Sequence, residues 1–383
     1  MRIFNNITIQ QFRGLRDLEL KDLSQINVLV GINNSGKTSI LEALFLYSNP
    51  LDIQRLITLA NLRENTNSSR YSTLENLLWL FPQLSDHLDD DLLLPEIKLY
   101  SEGIKEIQRI NISYQNQERI KPLASSIKED QMYYEDDFTS EREASNIVRG
   151  IKLEFKIYTH QLNLWAEPHI HEKITLWEDE PRFRSPKANS KAIQLPVAFI
   201  TPFSHRSHFS QLRLLSQASF ENLKPNVIQL LNYMDENIID LEILMNPKTR
   251  WNQPSIYVQH KKLGLTPINT LGDGVRRLLH IALQIPRARD GILLIDELES
   301  TIHTEALHDA FEWLVTWCQK MNVQLFATTH SLEAVDHLLE VTNSANDLAF
   351  YRLEPTDYKT KVVRHDWERL KILREELGQE VRW

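Results

Sequence analysis

The 383-residue chain has a single cysteine, Cys318, only ten glycines, and no apolar stretch near the ~18 residues a membrane-spanning helix needs. One cysteine excludes an intramolecular disulfide framework and fits a reducing compartment. Its neighbours Leu314, Val315 and Trp317 point to a buried, inert thiol rather than a nucleophile. The opening Met1-Arg2-Ile3-Phe4-Asn5-Asn6 lacks the apolar region of a signal peptide, so the expectation is a cytoplasmic protein with no membrane partner. Positive charge is also in short supply. A net charge of −9 excludes blanket adhesion to nucleic acid or anionic lipid, and any contact with DNA must come from a local site. Sustained heptads are missing too: Val227, Leu230, Leu231, Met234, Ile238 and Leu241 follow helical spacing but stop there, too short for a coiled-coil arm. With 42% apolar residues, the chain can build one large α/β domain or one domain carrying an insertion.

Scarcity makes the placement of glycine informative, because four of the ten lie in two loops that suit phosphate. Gly31-Ile32-Asn33-Asn34-Ser35-Gly36-Lys37-Thr38 fits the P-loop pattern G-x-x-x-x-G-K-[ST]. It stands between an apolar run, Ile26 to Val30, and a helical pattern from Lys37 to Tyr47, which is the strand-loop-helix setting the motif needs. Backbone N–H groups of such a loop point at phosphate oxygens, Lys37 supplies a mobile cation, and Thr38 offers a hydroxyl to magnesium. The implied ligands are a nucleoside triphosphate and Mg2+. Gly31, Asn33, Asn34, Ser35, Gly36, Lys37, Thr38 and Ser39 are the candidate contacts.

Gly291-Ile292-Leu293-Leu294-Ile295-Asp296-Glu297 reads as a strand buried on both faces and ending in two acids, at the carboxyl edge where open α/β sheets bind ligands. Asp296 is the candidate magnesium ligand and Glu297 the candidate base for the attacking water. Gln324 to Ser331 is a third strand with a polar end, where His330 is a candidate for contacting the terminal phosphate. Thr270-Leu271-Gly272-Asp273-Gly274-Val275-Arg276-Arg277 leads into an apolar helix, Leu278 to Ile285, closed by Pro286. Two arginines in a first helical turn oppose the macrodipole at about 0.3–1 kcal/mol each, so a compensating anion or carboxylate is expected beside them.

Between these motifs, residues 51–95 read as helical, Ile107–Tyr114 and Ile151–Tyr158 as strands of an antiparallel sheet, and Glu129–Glu143 as a solvated acidic loop. The expected fold is α/β: a P-loop NTPase with a mixed or parallel central sheet, an antiparallel β lobe and a helical insertion. The motifs divide it into 1–50, with the P-loop; 51–254, an inserted helical and β region; and 255–383, with the remaining site residues. The pairs His169/His171 and His205/His208 lack further ligands for zinc. Arg206, after the strand Val197–Thr201, is either a phosphate or DNA contact or a solvated surface arginine. An apolar stripe of Trp367, Leu370, Leu373, Leu377 and Val381 suggests a terminal helix packed on its own sheet, or one docking another protein.

The order of Phe12-Arg13-Gly14, the asparagine-bearing P-loop, Leu271-Gly272-Asp273-Gly274, Ile295-Asp296-Glu297 and Ala327-Thr328-Thr329-His330-Ser331 resembles the ATP-binding-cassette ATPases of the RecF, SMC and OLD type, OLD-like members above all. That resemblance covers residues 1–50 and about 255–383, and it implies an ABC-type ATPase fold. It makes Lys37 and Thr38 ligands of phosphate and magnesium, Asp296 the Walker B acid, Glu297 the catalytic base and His330 the switch. It adds Arg13 to the nucleotide contacts and places Gly272, Asp273 and Gly274 on the ATP of a second subunit. A homo-oligomer is therefore implied, with a separate effector such as a Toprim-like nuclease in phage defence, and DNA as a further possible partner. Gly272 replaces the usual signature serine, with Thr270 as an alternative hydroxyl, and Ser300-Thr301-Ile302-His303 lacks the usual aspartate, so turnover is expected to be slow. About fifty residues follow Ser331, too few for a Toprim domain, so the chain is not expected to cut DNA by itself. The alternatives are a RecF-like DNA-repair ATPase and a nucleotide-gated scaffold with negligible hydrolysis.

Overall fold

Alternation of apolar and polar residues over the first twenty positions makes a hairpin of β1 (Phe4–Phe12) and β2 (Leu15–Leu20), after which a fully buried β3 (Ile26–Gly31) runs into the glycine loop and α1 (Lys37–Tyr47). The computed structural model describes residues 2–63, 72–83, 95–103, 107–121, 147–159, 168–180, 194–245, 253–356 and 359–382. Helices α2 (Ile53–Asn61) and α3 (Thr73–Leu78) come next, and Ser72 and Glu75 close a capping box on α3. Four strands, β4 (Glu96–Gly103), β5 (Ile107–Ile120), β6 (Ile147–Thr159) and β7 (Ile170–Trp177), extend the first hairpin into an antiparallel sheet of order β2-β1-β4-β5-β6-β7. The acidic stretch Glu129–Glu143 lies outside the described residues.

The chain then makes β8 (Val197–Ile200), α4 (His208–Phe220), α5 (Lys224–Asn232) and a three-stranded sheet of β9 (Ile238–Met245), β10 (Pro254–His260) and β11 (Gly264–Pro267). After α6 (Asp273–Gln284) come β12 (Ile292–Ile295), α7 (Thr304–Lys320), β13 (Gln324–Thr328), α8 (Leu332–Glu340), β14 (Leu348–Pro355), β15 (Thr360–Asp366) and α9 (Trp367–Lys371). The central sheet has the order β15-β14-β3-β13-β12-β8 and is parallel except for β15. Its edge strand β8 comes from within residues 51–254, so the sheets cut across the three-part division that the motifs suggest.

Both faces of the central sheet are covered, which is why its strands read as unbroken apolar runs. Ile292 and Leu294 of β12 face α1 and the antiparallel sheet, while Leu293 and Ile295 face the helices on the other side. Each such side chain contributes about 1.5–3 kcal/mol by burial, so neither face could be exchanged for a solvated one. Cys318 is fully buried and its thiol is pushed up to about 12 by burial.

Two expectations change. Ile238 and Leu241 belong to β9, because a register shift opposite His260 inserts one extra residue and turns both side chains inward, three positions apart. A bulge of that kind imitates helical spacing. The terminal helix is short: α9 ends at Lys371 and a wider turn, Ile372–Glu376, follows. Leu370 and Val381 are buried in the chain's own core with Trp367 and Leu373 against it, whereas Leu377 is exposed.

Arg13, expected among the nucleotide contacts, is engaged within the chain. Its Nε lies 2.7 Å from the carboxylate of Glu42 on α1, and its Nη2 donates to the Leu59 carbonyl at 3.0 Å. Glu42 is fully buried and also accepts from Arg63 at 2.8 and 3.0 Å. The hairpin turn is therefore riveted to the back of α1 by a buried charge pair. Glu42→Ala strands the Arg13 guanidinium in the interior and is expected to cost about 3–5 kcal/mol in a urea unfolding midpoint, with no loss of binding sites for nucleotide in the protein that remains folded.

Candidate active site

Because β3, β13, β12 and β8 run parallel, their carboxyl ends open on one edge, the position at which such sheets bind ligands. The loop after β3 is built for close approach. Gly36 stands at φ 95°, and a Cβ there would meet Leu15 at 2.5 Å, so only glycine fits between the loop and the β2 hairpin. Asn34 also takes a left-handed conformation, at φ 66°. Lys37, 6% exposed, donates to the carbonyls of Gly31 at 2.7 Å and Ile32 at 2.9 Å. Burial holds its ammonium below the ordinary lysine range, and Asp296, Glu297 and Glu299 act in the opposite direction. Ser35 is buried within the loop, whereas Asn33 and Asn34 are exposed. Ser39 is turned away from the loop's mouth and accepts from Arg63 at 2.9 Å.

Three oxygens converge beside Lys37. The Thr38 hydroxyl donates to the Asp296 carboxylate, 3.2 Å from Oδ1 and 3.1 Å from Oδ2, although 258 residues separate them in sequence. Thr328, at the end of β13, donates its hydroxyl to Asp296 Oδ1 at 2.6 Å and accepts the Glu297 amide at 2.8 Å. Glu297 takes φ 52°, a left-handed conformation uncommon for glutamate, at the point where the strand ends. Its neighbours hold it there: Asp296 N donates to Ile200 O at 2.8 Å and Leu298 N to Thr328 O at 2.9 Å.

Arg277 supplies the rest of that restraint. Its side chain is fully buried and donates to the carbonyls of Thr201 at 3.1 Å, Asp296 at 2.9 Å and Glu297 at 2.6 Å. The expected compensation for the two arginines of α6 therefore takes two forms. Arg276 pairs with the Asp273 carboxylate one turn back, at 3.0 Å, and Arg277 is met by carbonyl oxygens.

The second glycine loop divides in two. A Cβ on Gly274 would lie 2.5 Å from the Thr301 carbonyl and 2.7 Å from Met234, so this glycine lets α6 pack on the segment that follows Glu297. Gly272 is exposed and a Cβ there would meet nothing within 4 Å. Asp273 is engaged by Arg276, by Arg206 at 3.3 Å and by His205 at 3.3 Å. His330 lies at the end of β13: its amide donates to Glu299 Oε1 at 2.9 Å, its carbonyl accepts from Arg382 at 2.6 Å, and its imidazole makes no hydrogen bond among the described residues.

Sequence reasoning passed over Thr328, Thr201 and Glu299. Thr328 and Glu299 each lie within two residues of a named candidate on an apolar strand's polar end, which is the signal that could have found them. Of the paired histidines, His171 pairs with Glu154, His169 accepts the Thr159 amide and His205 lies buried against Asp273, while the His208 side chain lies outside what the structure describes.

Comparison with known proteins gives the fold a lineage. Over 96% of this chain and 99% of the other, the structure superposes on an SMC head solved in complex with the C-terminal winged-helix domain of ScpA, at 11% identity and a TM-score of 0.50. That likeness shows a common ABC-ATPase fold. In sequence the chain is 22% identical over 375 residues to an ATP/GTP phosphatase of Helicobacter pylori, covering 93% of each. It is also 32% identical over 115 residues to an uncharacterized protein of Methanocaldococcus jannaschii, covering 29% of this chain and 99% of that one. The model of a family described as "AAA domain, putative AbiEii toxin, Type IV TA system" matches residues 26–336, a span that holds the glycine loop, Asp296, Glu297 and His330 together, and the chain belongs to that family.

Proposed function

We propose that the chain is an ATPase that binds ATP with Mg2+ at the loop Gly31–Thr38, closes head to tail on a second copy of itself, and uses that closure to govern an effector protein. The observation that carries the chemistry is the meeting of the Thr38 hydroxyl with both oxygens of Asp296. Magnesium takes oxygen ligands, usually one or two from protein together with phosphate and water, and this pair of side chains suits it. Thr38 and Asp296 would hold the ion, which when bound neutralises charge on the β- and γ-phosphates. In hydrolysis, water oxygen bonds to the γ-phosphorus as the bond to the β-phosphate bridging oxygen breaks, leaving ADP and phosphate. Glu297 accepts the proton of that water, Lys37 follows the charge on the phosphates, and Thr328 keeps Asp296 and the Glu297 backbone in register. The likeness to a protein named ATP/GTP phosphatase supports turnover as well as binding.

Three features support the paired arrangement. Gly272 is open to approach while Gly274 is sealed, the α6 amino terminus suits an anion, and SMC heads share the fold. His330 is the assigned reporter of the terminal phosphate, since Glu299 and Arg382 fix its backbone and its ring makes no hydrogen bond among the described residues. An effector outside the chain, such as a Toprim-like nuclease in phage defence, is the reading we favour for the output. The toxin–antitoxin description of the family supports a role in defence. Co-purification with the product of a neighbouring gene tests that part.

Glu297→Gln is expected to bind ATP with unchanged affinity and to accumulate as a closed dimer in light scattering, with hydrolysis reduced by about 10²-fold or more. Turnover at the wild-type rate would remove Glu297 from the mechanism. Thr328→Val removes one support of Asp296 without touching nucleotide, and should raise the Mg2+ concentration needed for half-maximal hydrolysis by about 10–100-fold. A magnesium titration of the ATPase rate reads this directly, and an unchanged midpoint would show that Asp296 needs no such support.

A further inference from the structure

The loop that follows β8 holds a cation whose position the catalytic reading leaves unexplained. Ile200, the last residue of β8, pairs with Ile295, so this loop leaves the sheet beside Asp296. Ser204, whose hydroxyl accepts the Thr201 amide at 2.8 Å, folds the loop back on itself, and the side chain of Arg206 emerges from it 58% exposed. Its guanidinium lies over the Phe203 ring, 5.2 Å from the centroid, and reaches Asp273 of α6 at 3.3 Å. The Nε and Nη1 groups of Arg206 make no hydrogen bond among the described residues.

A purely structural role is already filled. Arg276 neutralises Asp273 from the inner side at 3.0 Å, and its second amine reaches the His205 carbonyl at 3.5 Å, which ties the loop to the helix. Burial holds His205 below its ordinary value, so this imidazole adds little positive charge. Asp273 therefore faces two guanidinium groups with one carboxylate, at the positive end of α6. The outer pair is longer than the 2.7–2.9 Å typical of charge-assisted hydrogen bonds, and its arginine is oriented by an aromatic face rather than enclosed. Arg206, Phe203 and Gly272 share the exposed surface around Asp273. A stacked, planar, half-free guanidinium suits bidentate contact with phosphate oxygens. It also stands beside the position where a signature serine is lacking.

We infer that Arg206 reaches across the head-to-tail interface and donates to the terminal phosphate of ATP bound by the partner subunit, supplying in trans the donor that Gly272 cannot. The inference rests on the paired arrangement proposed above, and it names the group that would stabilise charge on the transferring phosphoryl oxygens. Phe203 and Asp273 aim this side chain; Arg276 secures the loop.

The test mixes two defective subunits. Arg206→Ala is expected to fold with an unchanged melting temperature, to bind Mg2+-ATP as an isolated subunit with wild-type affinity, and to lose about 10²-fold or more in kcat, with Arg206→Lys intermediate. Lys37→Ala is expected to bind no ATP. A mixture of Lys37→Ala with Arg206→Ala chains contains heterodimers in which one site has both Lys37 and the opposing Arg206, so ATPase activity should rise well above that of either variant alone. Absence of any rise, with mixed dimers shown by light scattering or crosslinking, would overturn action in trans; wild-type kcat in Arg206→Ala would overturn the assignment altogether. If instead Glu297→Gln with Mg2+-ATP stays monomeric, the paired arrangement itself fails, a result independent of the Arg206 variants.

Discussion

A fully buried guanidinium with no carboxylate bonded to it among the described residues is the constraint on which the carboxyl edge of the central sheet depends. Arg277 carries its charge into the interior and, among the described residues, is hydrogen-bonded only to the carbonyls of Thr201, Asp296 and Glu297, which belong to the ends of two neighbouring strands. Burying such a charge costs several kcal/mol unless its hydrogen bonds are satisfied, so the three carbonyls cannot drift apart without leaving it exposed to that penalty. The same bonds keep Glu297 in its left-handed conformation. Because Arg277 sits on α6, four residues after Asp273, the helix whose first turn faces outward is mechanically continuous with the Glu297 backbone. The position of that turn and the placement of the Glu297 backbone are thereby coupled through one side chain.

The two helices that define the site are held in different ways. α1 lies between two sheets, with Ile40, Leu41 and Leu44 buried among residues of both and Glu42 bonded to Arg13 and Arg63. α6 lies on the other face of the central sheet, packed against α4 and α5. The phosphate loop is thus mounted on the better-clamped element, and the glycine pair on the one whose neighbours are helices. Shear between packed helices is a common way for domains to close, whereas a helix gripped by two sheets has little freedom of that sort.

Much of this was legible in the sequence where one residue type had one physical explanation. The runs in β3, β12 and β13 are apolar because both their faces are covered, and the polar ends of those strands carry Thr38's partner Asp296, Glu297 and His330. Legibility failed where a long-range partner decided the role. Arg277 reads locally as a cation in an unfavourable helical turn, and its carbonyl partners are 76, 19 and 20 residues away. Thr328 reads as the last residue of a strand, and nothing nearby shows that its hydroxyl bridges Asp296 and the Glu297 amide. Arg13 stands in a motif-like turn, yet its partner is a glutamate on the hidden face of α1. Ile238 and Leu241 misled for a geometric reason, since one inserted residue in a strand reproduces the spacing of a helix.

Gln324 has a consequence for how the molecule is made. Buried at the foot of β13, its side-chain oxygen accepts the amides of Ile3 and Phe4 at 3.1 and 2.9 Å, and its nitrogen donates to the carbonyls of Phe4 and Ser24 at 3.0 and 2.9 Å. β1 therefore acquires this partner only after some 320 further residues have been synthesised. Closing so long a loop comes late in assembly. Chains stalled before that point lack the four hydrogen bonds by which Gln324 ties β1 and Ser24 to the foot of β13, so a strand made early is completed by a residue made late.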